Sequence, residues 1–137
     1  MKTILVTGFS GVLGSAILKI IENQNDAVVL LGGRKTNKDS HYHFDVNDNQ
    51  SVQKLIKETR PELVYNLLGS MSANWEDSFK SNCDLTHTLL EETTKTNNRC
   101  RVVLIGSAAE YGVVKPEENP ISEYYEPNPV STYGLTK

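Results

Sequence analysis

Tyr133 and Lys137 lie four residues apart, a spacing that puts two side chains on the same face of a helix. A tyrosine hydroxyl has an ordinary pKa of about 10, which makes it a poor base at neutral pH. A lysine ammonium close by lowers such a pKa toward the working range, so the pair suits general acid/base chemistry. The same spacing is common among exposed helix residues, so the pair needs support from the rest of the chain.

A glycine-rich turn near the start of the chain is the second candidate for chemistry. The residues TGFSGVLG follow an apolar strand and precede a helical pattern. Gly8 permits a tight turn, Gly11 lets a pyrophosphate approach the backbone, and Gly14 lets the helix pack closely on the strand. The helix N-terminus offers free N–H groups and the positive end of its dipole to phosphate. The spacing is GxxGxxG rather than GxGxxG, and a tight turn without a ligand is the alternative. The predicted cofactor-binding residues of this turn are Gly8, Phe9, Ser10, Gly11, Val12, Leu13 and Gly14.

The end of the second apolar strand indicates which dinucleotide the turn would take. An acidic residue there hydrogen-bonds the ribose 2′-hydroxyl of NAD, whereas an arginine accommodates the 2′-phosphate of NADP. Gly32, 24 residues after Gly8, stands where the acid is expected, and Arg34 and Lys35 follow it. A guanidinium can bind a phosphate through two hydrogen bonds. The sequence therefore favours NADP, bound through Arg34, and leaves NAD open. A solvated turn at Arg34 and Lys35 is the alternative.

Short apolar runs alternate with helical patterns along the chain. Continuous apolar strands are typical of a parallel sheet covered by helices on both faces. The sequence therefore predicts an α/β fold, a Rossmann-like doubly wound parallel sheet. Strands are predicted at 4–6, 27–31, 42–44, 63–68 and 101–106. Helices are predicted at 12–21, 52–56 and 75–96, and a proline-rich loop follows Tyr111.

Composition excludes several other classes of protein. The 137 residues fit one domain, and the net charge of −3 argues against a nucleic-acid partner. No run approaches the roughly 18 apolar residues that a membrane span needs, so no membrane partner is expected. Cys83 and Cys100 form no metal-ligand spacing and fit a reduced, cytoplasmic setting. His41 and His43 supply only half of a metal site, so no metal is expected.

Six segments, in order, resemble the extended short-chain dehydrogenase/reductases, the group of NAD(P)-dependent sugar-nucleotide epimerases, dehydratases and reductases. They are TGFSGVLG, FDVND at 44–48, NLLG at 66–69, Asn82, GSAAEYG at 106–112 and PVSTYGLTK at 129–137. Together they cover essentially the whole chain. The resemblance implies hydride transfer between a nicotinamide and a carbon that bears an alcohol or a carbonyl.

The resemblance also implies roles for individual residues. Ser107 would be the catalytic serine, Tyr133 the general acid/base and Lys137 its partner. A serine hydroxyl at the end of a strand can hydrogen-bond the reacting oxygen, at the sheet edge where ligands bind. Asn82 would brace neighbouring backbone. Cofactor contacts outside the glycine turn are implied for Asp45, Val46, Leu67, Leu68 and Gly69.

Ala108 and Ala109 separate the chain from the 4,6-dehydratases of this group, whose acidic residues at these positions help to remove water. Glu110 comes one position too late to replace them simply. The string GSAAEYG, followed by PISE at 120–123, is most similar to the 4-keto-6-deoxy-sugar-nucleotide reductases, whose reductive step commonly uses NADPH. A reductase or an epimerase acting on a nucleotide sugar is therefore expected, and the choice between the two stays open.

Relatives in this group continue beyond the position of Lys137 with a longer helix, a further strand and a smaller portion that holds the sugar nucleotide. Residues 1–137 are therefore expected to be an NAD(P)-binding Rossmann domain cut at its catalytic lysine. The sheet would be incomplete on its C-terminal side, and the substrate portion would be absent. We expect the isolated chain to be inactive and the full-length form to be a homodimer. The alternative is a non-catalytic dinucleotide-binding or interaction module.

Overall fold

The computed structural model describes residues 2–23, 27–33 and 41–137. Its strands are β1 (Lys2–Thr7), β2 (Ala27–Gly33), β3 (His41–His43), β4 (Leu63–Asn66) and β5 (Arg101–Leu104). All pair in parallel, in the order β3-β2-β1-β4-β5. This is the order of the first five strands of a Rossmann fold, and it confirms the predicted parallel sheet.

The helices follow the predicted alternation with the strands. They are α1 (Val12–Ile21), α2 (Asn49–Thr59), α3 (Trp75–Phe79), α4 (Leu85–Thr96) and α5 (Thr132–Thr136). A π-helical turn, Lys80–Asp84, joins α3 to α4, so the long helix predicted at 75–96 is present but irregular. Within the described ranges, none of these helices has the length and apolar character needed to cross a bilayer.

Two strands are shorter than the apolar runs predicted. β4 ends at Asn66 rather than at residue 68, and β5 ends at Leu104 rather than at residue 106. Leu67 and Leu68 lie beyond the end of β4. They continue the apolar run because they pack against opposite faces of the sheet. The residues beyond each strand thus form loops at the carboxyl edge, where ligands bind in such sheets.

Alternation of side chains along β1 divides the core between the two faces of the sheet. Leu5 packs with the buried residues of α2 and α4, which include Val52, Ile56 and Leu89. Ile4 and Val6, the neighbours of Leu5, pack on the opposite face with Ile21 of α1. Helices therefore cover both faces, and the predicted doubly wound arrangement is confirmed.

The apolar residues of α1 are only partly buried. Ile21 is buried and Ile17 packs beside it, but Ile20 is 66% exposed and Val12 is 88% exposed. Helical spacing places these apolar residues on one face of α1, and the structure buries only part of that face. At the opposite side of the sheet, β5 pairs only with β4 among the described residues, and Leu104 at its end is 44% exposed.

Phe44 is the side chain whose truncation should cost the fold most. It is fully buried, and its ring lies where a side chain on Gly32 would otherwise stand. We expect Phe44→Ala to lower the free energy of unfolding by about 3–5 kcal/mol, because it removes a large apolar group and leaves a cavity. Urea unfolding measures this. Ile20→Ala is the control, with an expected change within about 0.5 kcal/mol, because Ile20 is mostly exposed. Equal losses in the two variants would contradict this description of the core.

Candidate active site

The carboxyl ends of β1 and β4 meet at the centre of the sheet, where the strand order reverses. The Thr7 hydroxyl donates a hydrogen bond of 2.7 Å to the Asn66 side-chain oxygen, and both residues are buried. Gly8, the next residue, has φ +70°, and a Cβ there would lie 2.8 Å from the Leu67 carbonyl carbon and oxygen. Only glycine suits this backbone angle and this close approach. The reversal point is where open α/β sheets form their ligand crevice.

The three glycines of the turn meet different surroundings. A Cβ on Gly14 would lie 2.5 Å from the Gly8 oxygen and the Phe9 Cα, so Gly14 is needed for α1 to pack on the turn. A Cβ on Gly11 would meet only the Gly8 oxygen, at 3.3 Å. Gly11 is exposed and begins α1 without a side-chain cap. Packing therefore accounts for Gly8 and Gly14, and leaves Gly11 as the position that is open to a ligand.

This turn fits a pyrophosphate. The first N–H groups of an α-helix have no partners within the helix, and they carry the positive end of its dipole. In α1 the approach to these groups is bordered by the exposed residues Ser10, Gly11, Val12 and Leu13. Phe9 instead points back to the sheet and packs with the core beneath α1. The turn thus offers backbone donors and no acidic side chain to an anion.

Two aromatic rings account for the glycines at the end of β2. A Cβ on Gly32 would lie 2.9 Å from the Phe44 ring, and a Cβ on Gly33 would lie 3.1 Å from the Phe9 ring. The two rings belong to the cores on opposite faces of the sheet. Arg34, predicted to bind the NADP phosphate, lies outside the described residues. The missing acid at position 32 therefore has a packing cause that is independent of the cofactor.

Val46, Leu68 and Gly69 line one cleft of about 360 Å³, which also contains Ser70 and Asp77. Three of the residues predicted to contact a cofactor outside the glycine turn are thus brought together. Asp45 lies beside this group, exposed. Its carboxylate accepts hydrogen bonds of 2.9 Å and 3.1 Å from the backbone and side chain of Asn47, which hold the loop after β3. Leu67 lies under the crevice, packed into the core on the α1 side of the sheet.

Ser107 begins a short 3₁₀ turn, Ala108–Tyr111, just beyond β5. Its side-chain oxygen accepts a hydrogen bond of 3.2 Å from the Ala109 N–H. Its own N–H donates a bond of 2.6 Å to the Glu110 carboxylate. The two bonds form a capping box, which fixes the backbone where the chain leaves the sheet.

Tyr133 and Lys137 are carried by α5, which docks directly on the Ser107 turn. The Ser131 hydroxyl caps α5 by accepting a bond of 3.0 Å from the Gly134 N–H. A Cβ on Gly134 would overlap the Ala109 carbonyl oxygen, so glycine at this position permits the docking. The element that carries the tyrosine and lysine is therefore in contact with the element that carries the serine. Tyr133 and Lys137 are both half-buried.

Asn82, in the π-helical turn, ties α5 to the loop after β4. Its side-chain oxygen accepts a bond of 2.8 Å from the Ser70 N–H. Its amide donates to the Ser70 carbonyl at 3.0 Å and to the Thr136 hydroxyl at 2.9 Å. The expected bracing contact is thus present, and it extends to the helix that carries Lys137. π-Helical turns commonly occur where a helix must present one side chain in this way.

Cys83, the next residue, supplies a second tie to α5. Its thiol donates to the Thr136 carbonyl oxygen at 3.3 Å. Burial and, to a smaller extent, the charge of Asp84 raise the pKa of this thiol above its ordinary value. The thiol therefore stays protonated at neutral pH and can act as a donor.

Lys137 enters a second cavity, of about 150 Å³, at the ends of β4 and β5. Its ammonium nitrogen lies 3.6 Å from the point where a Cβ of Gly69 would stand. The cavity is also bordered by Asn66, Leu68, Asn82, Thr86, Gly106 and Glu110. Two of the residues predicted for the site, Lys137 and Leu68, thus line the same cavity. Ser107 directly follows Gly106, which also lines it. Tyr133 and Ser107, the other residues predicted to be catalytic, are not among the residues that line this cavity.

Sequence reasoning missed three residues that the site depends on. Gly134 permits the docking of α5, Asn66 joins β4 to β1, and Glu110 holds the Ser107 backbone. A signal for Glu110 was present, because Ser107 and Glu110 follow the S-x-x-E pattern of a capping box. The roles of Gly134 and Asn66 depend on contacts with distant residues, which no local pattern reveals.

Comparison with known proteins identifies the family. A family model, described as the NAD dependent epimerase/dehydratase family, matches residues 4–137. The chain belongs to this family. The extended short-chain dehydrogenase/reductase resemblance of the six segments is thereby confirmed.

Relatives within the epimerase/dehydratase family include enzymes of two kinds. The chain is 27% identical over 145 residues to a UDP-glucose 4-epimerase of Halalkalibacterium halodurans, covering 98% of this chain and 42% of the relative. It is 28% identical over 139 residues to a dTDP-4-dehydrorhamnose reductase of Streptomyces griseus, covering 97% of this chain and 41% of the relative. The chain thus spans less than half the length of these curated relatives.

Among solved structures, the enzyme WbmH of Bordetella bronchiseptica, in complex with NAD+, superposes with a TM-score of 0.84 at 25% identity. The match covers 100% of this chain and 49% of that one. It supports the Rossmann-like arrangement found in the described strands and helices.

The two glycines Gly14 and Gly11 should respond differently to the same substitution. We expect Gly14→Ala to lower the free energy of unfolding by about 1–3 kcal/mol, because its Cβ would collide with the backbone at Phe9. Gly11→Ala should change it by less than about 1 kcal/mol, because the site is nearly open. Thermal unfolding of both variants measures the difference. A larger loss in Gly11→Ala would contradict the packing described for the turn.

Proposed function

We propose that this chain is the cofactor-binding portion of an NAD(P)-dependent sugar-nucleotide epimerase or reductase, and that it carries the catalytic residues Ser107, Tyr133 and Lys137. The observation that carries the proposal is the position of Lys137. Its ammonium group lies beside Gly69 in a cavity that extends to Gly106, next to Ser107. Membership of the epimerase/dehydratase family and the reductase and epimerase relatives support the same conclusion.

Three parts of the crevice would hold the dinucleotide. The glycine turn from Gly8 to Gly14 would bind the pyrophosphate through backbone N–H groups. Asp45 and Val46 would lie at the adenine end, and Leu67, Leu68 and Gly69 would border the cofactor along the end of β4. The bound nicotinamide would supply or accept a hydride. The NAD+ complex of the similar enzyme WbmH supports a nicotinamide dinucleotide as the cofactor.

Tyr133, Lys137 and Ser107 would together control proton transfer at the reacting oxygen of the sugar. The Tyr133 hydroxyl would give this proton to a carbonyl oxygen or remove it from an alcohol. The positive charge of Lys137, one helical turn further along α5, would stabilise the charge that forms on the tyrosine oxygen. The Ser107 hydroxyl would donate a hydrogen bond to the same reacting oxygen and hold it in place.

Reduction of a 4-keto-6-deoxy-sugar nucleotide is the finer proposal, with epimerisation as the second candidate. Ala108 and Ala109 supply no acid for a dehydration, and the Glu110 carboxylate is held by the Ser107 N–H. The similarity to a dTDP-4-dehydrorhamnose reductase favours reduction. The UDP-glucose 4-epimerases among the relatives support epimerisation as the second candidate. A non-catalytic dinucleotide-binding module remains the alternative, since the glycine turn alone would suffice for it.

Tyr133→Phe tests the catalytic proposal, in the protein as its source cell produces it. With a 4-keto-6-deoxy-sugar nucleotide, the wild type should oxidise NADPH, and the variant should lose about 100-fold or more in kcat, because general acid/base catalysis contributes this much. Nicotinamide absorbance follows the reaction. Tyr125→Phe is the matched control, because it also removes a tyrosine hydroxyl but one bonded to Glu118 in the loop before α5. It should change kcat by less than about twofold.

Unimpaired turnover by Tyr133→Phe would refute the assigned role. Interconversion of UDP-glucose and UDP-galactose without net consumption of cofactor would replace the reductase with an epimerase. Binding of NADPH without turnover of either substrate would favour the non-catalytic module. Turnover by the 137-residue chain itself would contradict the expectation that the isolated chain is inactive.

Arg34→Ala tests the preference for NADP. If Arg34 binds the 2′-phosphate, the variant should bind NADPH about tenfold more weakly and NADH unchanged, because a charge-assisted hydrogen bond is lost. Titration with each nucleotide, followed by nicotinamide fluorescence, measures both affinities. Arg101→Ala is the control, since Arg101 is an exposed arginine at the opposite edge of the sheet. A wild-type preference for NADH would overturn the NADP prediction. The cytoplasmic location and the homodimer stay predictions.

A further inference from the structure

Glu110 makes the shortest polar contact around Ser107, and it lines the same cavity as Lys137. Its carboxylate accepts the Ser107 N–H at 2.6 Å and is half-buried. The sequence alone assigns no role to Glu110, because it stands one position too late to act as the acid of a dehydratase. Its bond to the backbone of Ser107 gives it a different task.

The backbone makes room for this contact at Gly106. A Cβ on Gly106 would lie 2.8 Å from the Glu110 carboxylate oxygen, so any side chain there would displace the carboxylate from its present position. Gly106 has no positive φ, so its conformation alone does not require glycine. The space above Gly106 is therefore used to fold the carboxylate back onto the Ser107 N–H.

We propose that Glu110 is a positioning residue for Ser107, an inference that rests on the proposed function of the site. By holding the Ser107 N–H, the carboxylate fixes the backbone from which the serine hydroxyl projects. The Ser107 oxygen already accepts the Ala109 N–H, at 3.2 Å. The hydroxyl proton is thus left to donate, and an oxygen that accepts one hydrogen bond becomes a better donor of another.

This arrangement matters because small displacements at a reacting centre are costly. A reactive group must be held within about 0.5 Å of its productive position, by neighbours that are themselves fixed. In the described structure, the Ser107 side chain bonds only within its own turn, so the backbone of that turn determines where the hydroxyl lies. Glu110 joins that backbone to the wall of the Lys137 cavity.

The chain contains a second contact of the same kind, which supplies a matched control. The Lys115 N–H donates to the Glu118 carboxylate at 2.8 Å, again from the residue before a 3₁₀ turn to the third residue of that turn. Glu118 lies in the loop before α5 and does not line the Lys137 cavity. Removal of Glu118 thus weakens a capping contact of the same type without touching Ser107.

The contact itself can be tested without any substrate. The Ser107 amide hydrogen should exchange with solvent about tenfold or more faster in Glu110→Ala than in the wild type, because the carboxylate no longer accepts it. Nuclear magnetic resonance of the isotopically labelled protein measures both exchange rates. A Ser107 amide hydrogen that exchanges equally fast in the wild type and in Glu110→Ala would overturn the proposal.

The positioning role is then tested by kinetics, in the protein as its source cell produces it. Glu110→Ala should lower kcat for the keto-sugar nucleotide about 10- to 100-fold while the dissociation constant for NADPH is unchanged. Gly106→Ala should do the same, because its Cβ displaces the carboxylate. Glu110→Gln should recover kcat to within about threefold of the wild type, because its amide oxygen still accepts the Ser107 N–H. Glu118→Ala should leave kcat within about twofold.

The outcomes separate this inference from the proposed function. Wild-type turnover with an equally active Glu110→Ala would overturn the positioning role and leave the enzyme assignment intact. Equal losses in Glu110→Ala and Glu118→Ala, accompanied by weaker NADPH binding, would reduce Glu110 to a general structural role and also overturn it. A wild type that turns over neither a keto-sugar nucleotide nor UDP-glucose would refute the proposed function, and the positioning role would fall with it.

Discussion

The close approach of the turn after β1 to the loop after β4 is the contact on which the rest of the site depends. Gly8 lies against the Leu67 carbonyl, and the Thr7 hydroxyl bonds the Asn66 side chain just before it. These contacts bring the start of α1 beside the loop that continues to Gly69. A side chain at position 8 would force the two loops apart and open the crevice. The glycine turn and the loop that leads to Gly69 therefore share one packing constraint.

From that constraint, a series of short contacts extends to the lysine. Asn82 holds the backbone of Ser70, one residue past Gly69, and also bonds Thr136 in α5. The five described residues of α5 are held in place by contacts with neighbouring elements. Gly134 gives it a second support, by letting it rest on the carbonyl of Ala109. These contacts from outside α5 thus help to fix the position of Lys137, which directly follows Thr136.

Much of the fold could be predicted because its signals are local. The apolar strands, the glycine turn and the order of the elements are written in short runs of residues, and the structure agrees with them. The limits of β4 could not be predicted in this way, because Leu67 continues the apolar pattern although it has left the ladder. The exposure of Ile20 could not be predicted either. Helical spacing shows that apolar residues share a face of the helix, but not how wide the neighbouring core is. The contact between Gly134 and Ala109 joins residues 25 apart in the chain and has no local signature.

The end of β2 shows how packing and ligand binding can place opposite demands on one position. A carboxylate at position 32 would suit a ribose hydroxyl, but the Phe44 ring occupies the space that its Cβ would need. The Phe9 ring excludes a side chain at position 33 in the same way, from the other face of the sheet. Arg34 and Lys35, the next residues in the sequence, lie outside the described residues. Core packing accounts for Gly32 and Gly33, so the absence of an acid at position 32 does not by itself indicate which cofactor binds. The preference for NADP is therefore predicted from the positive charges of Arg34 and Lys35 in the sequence, which suit a 2′-phosphate.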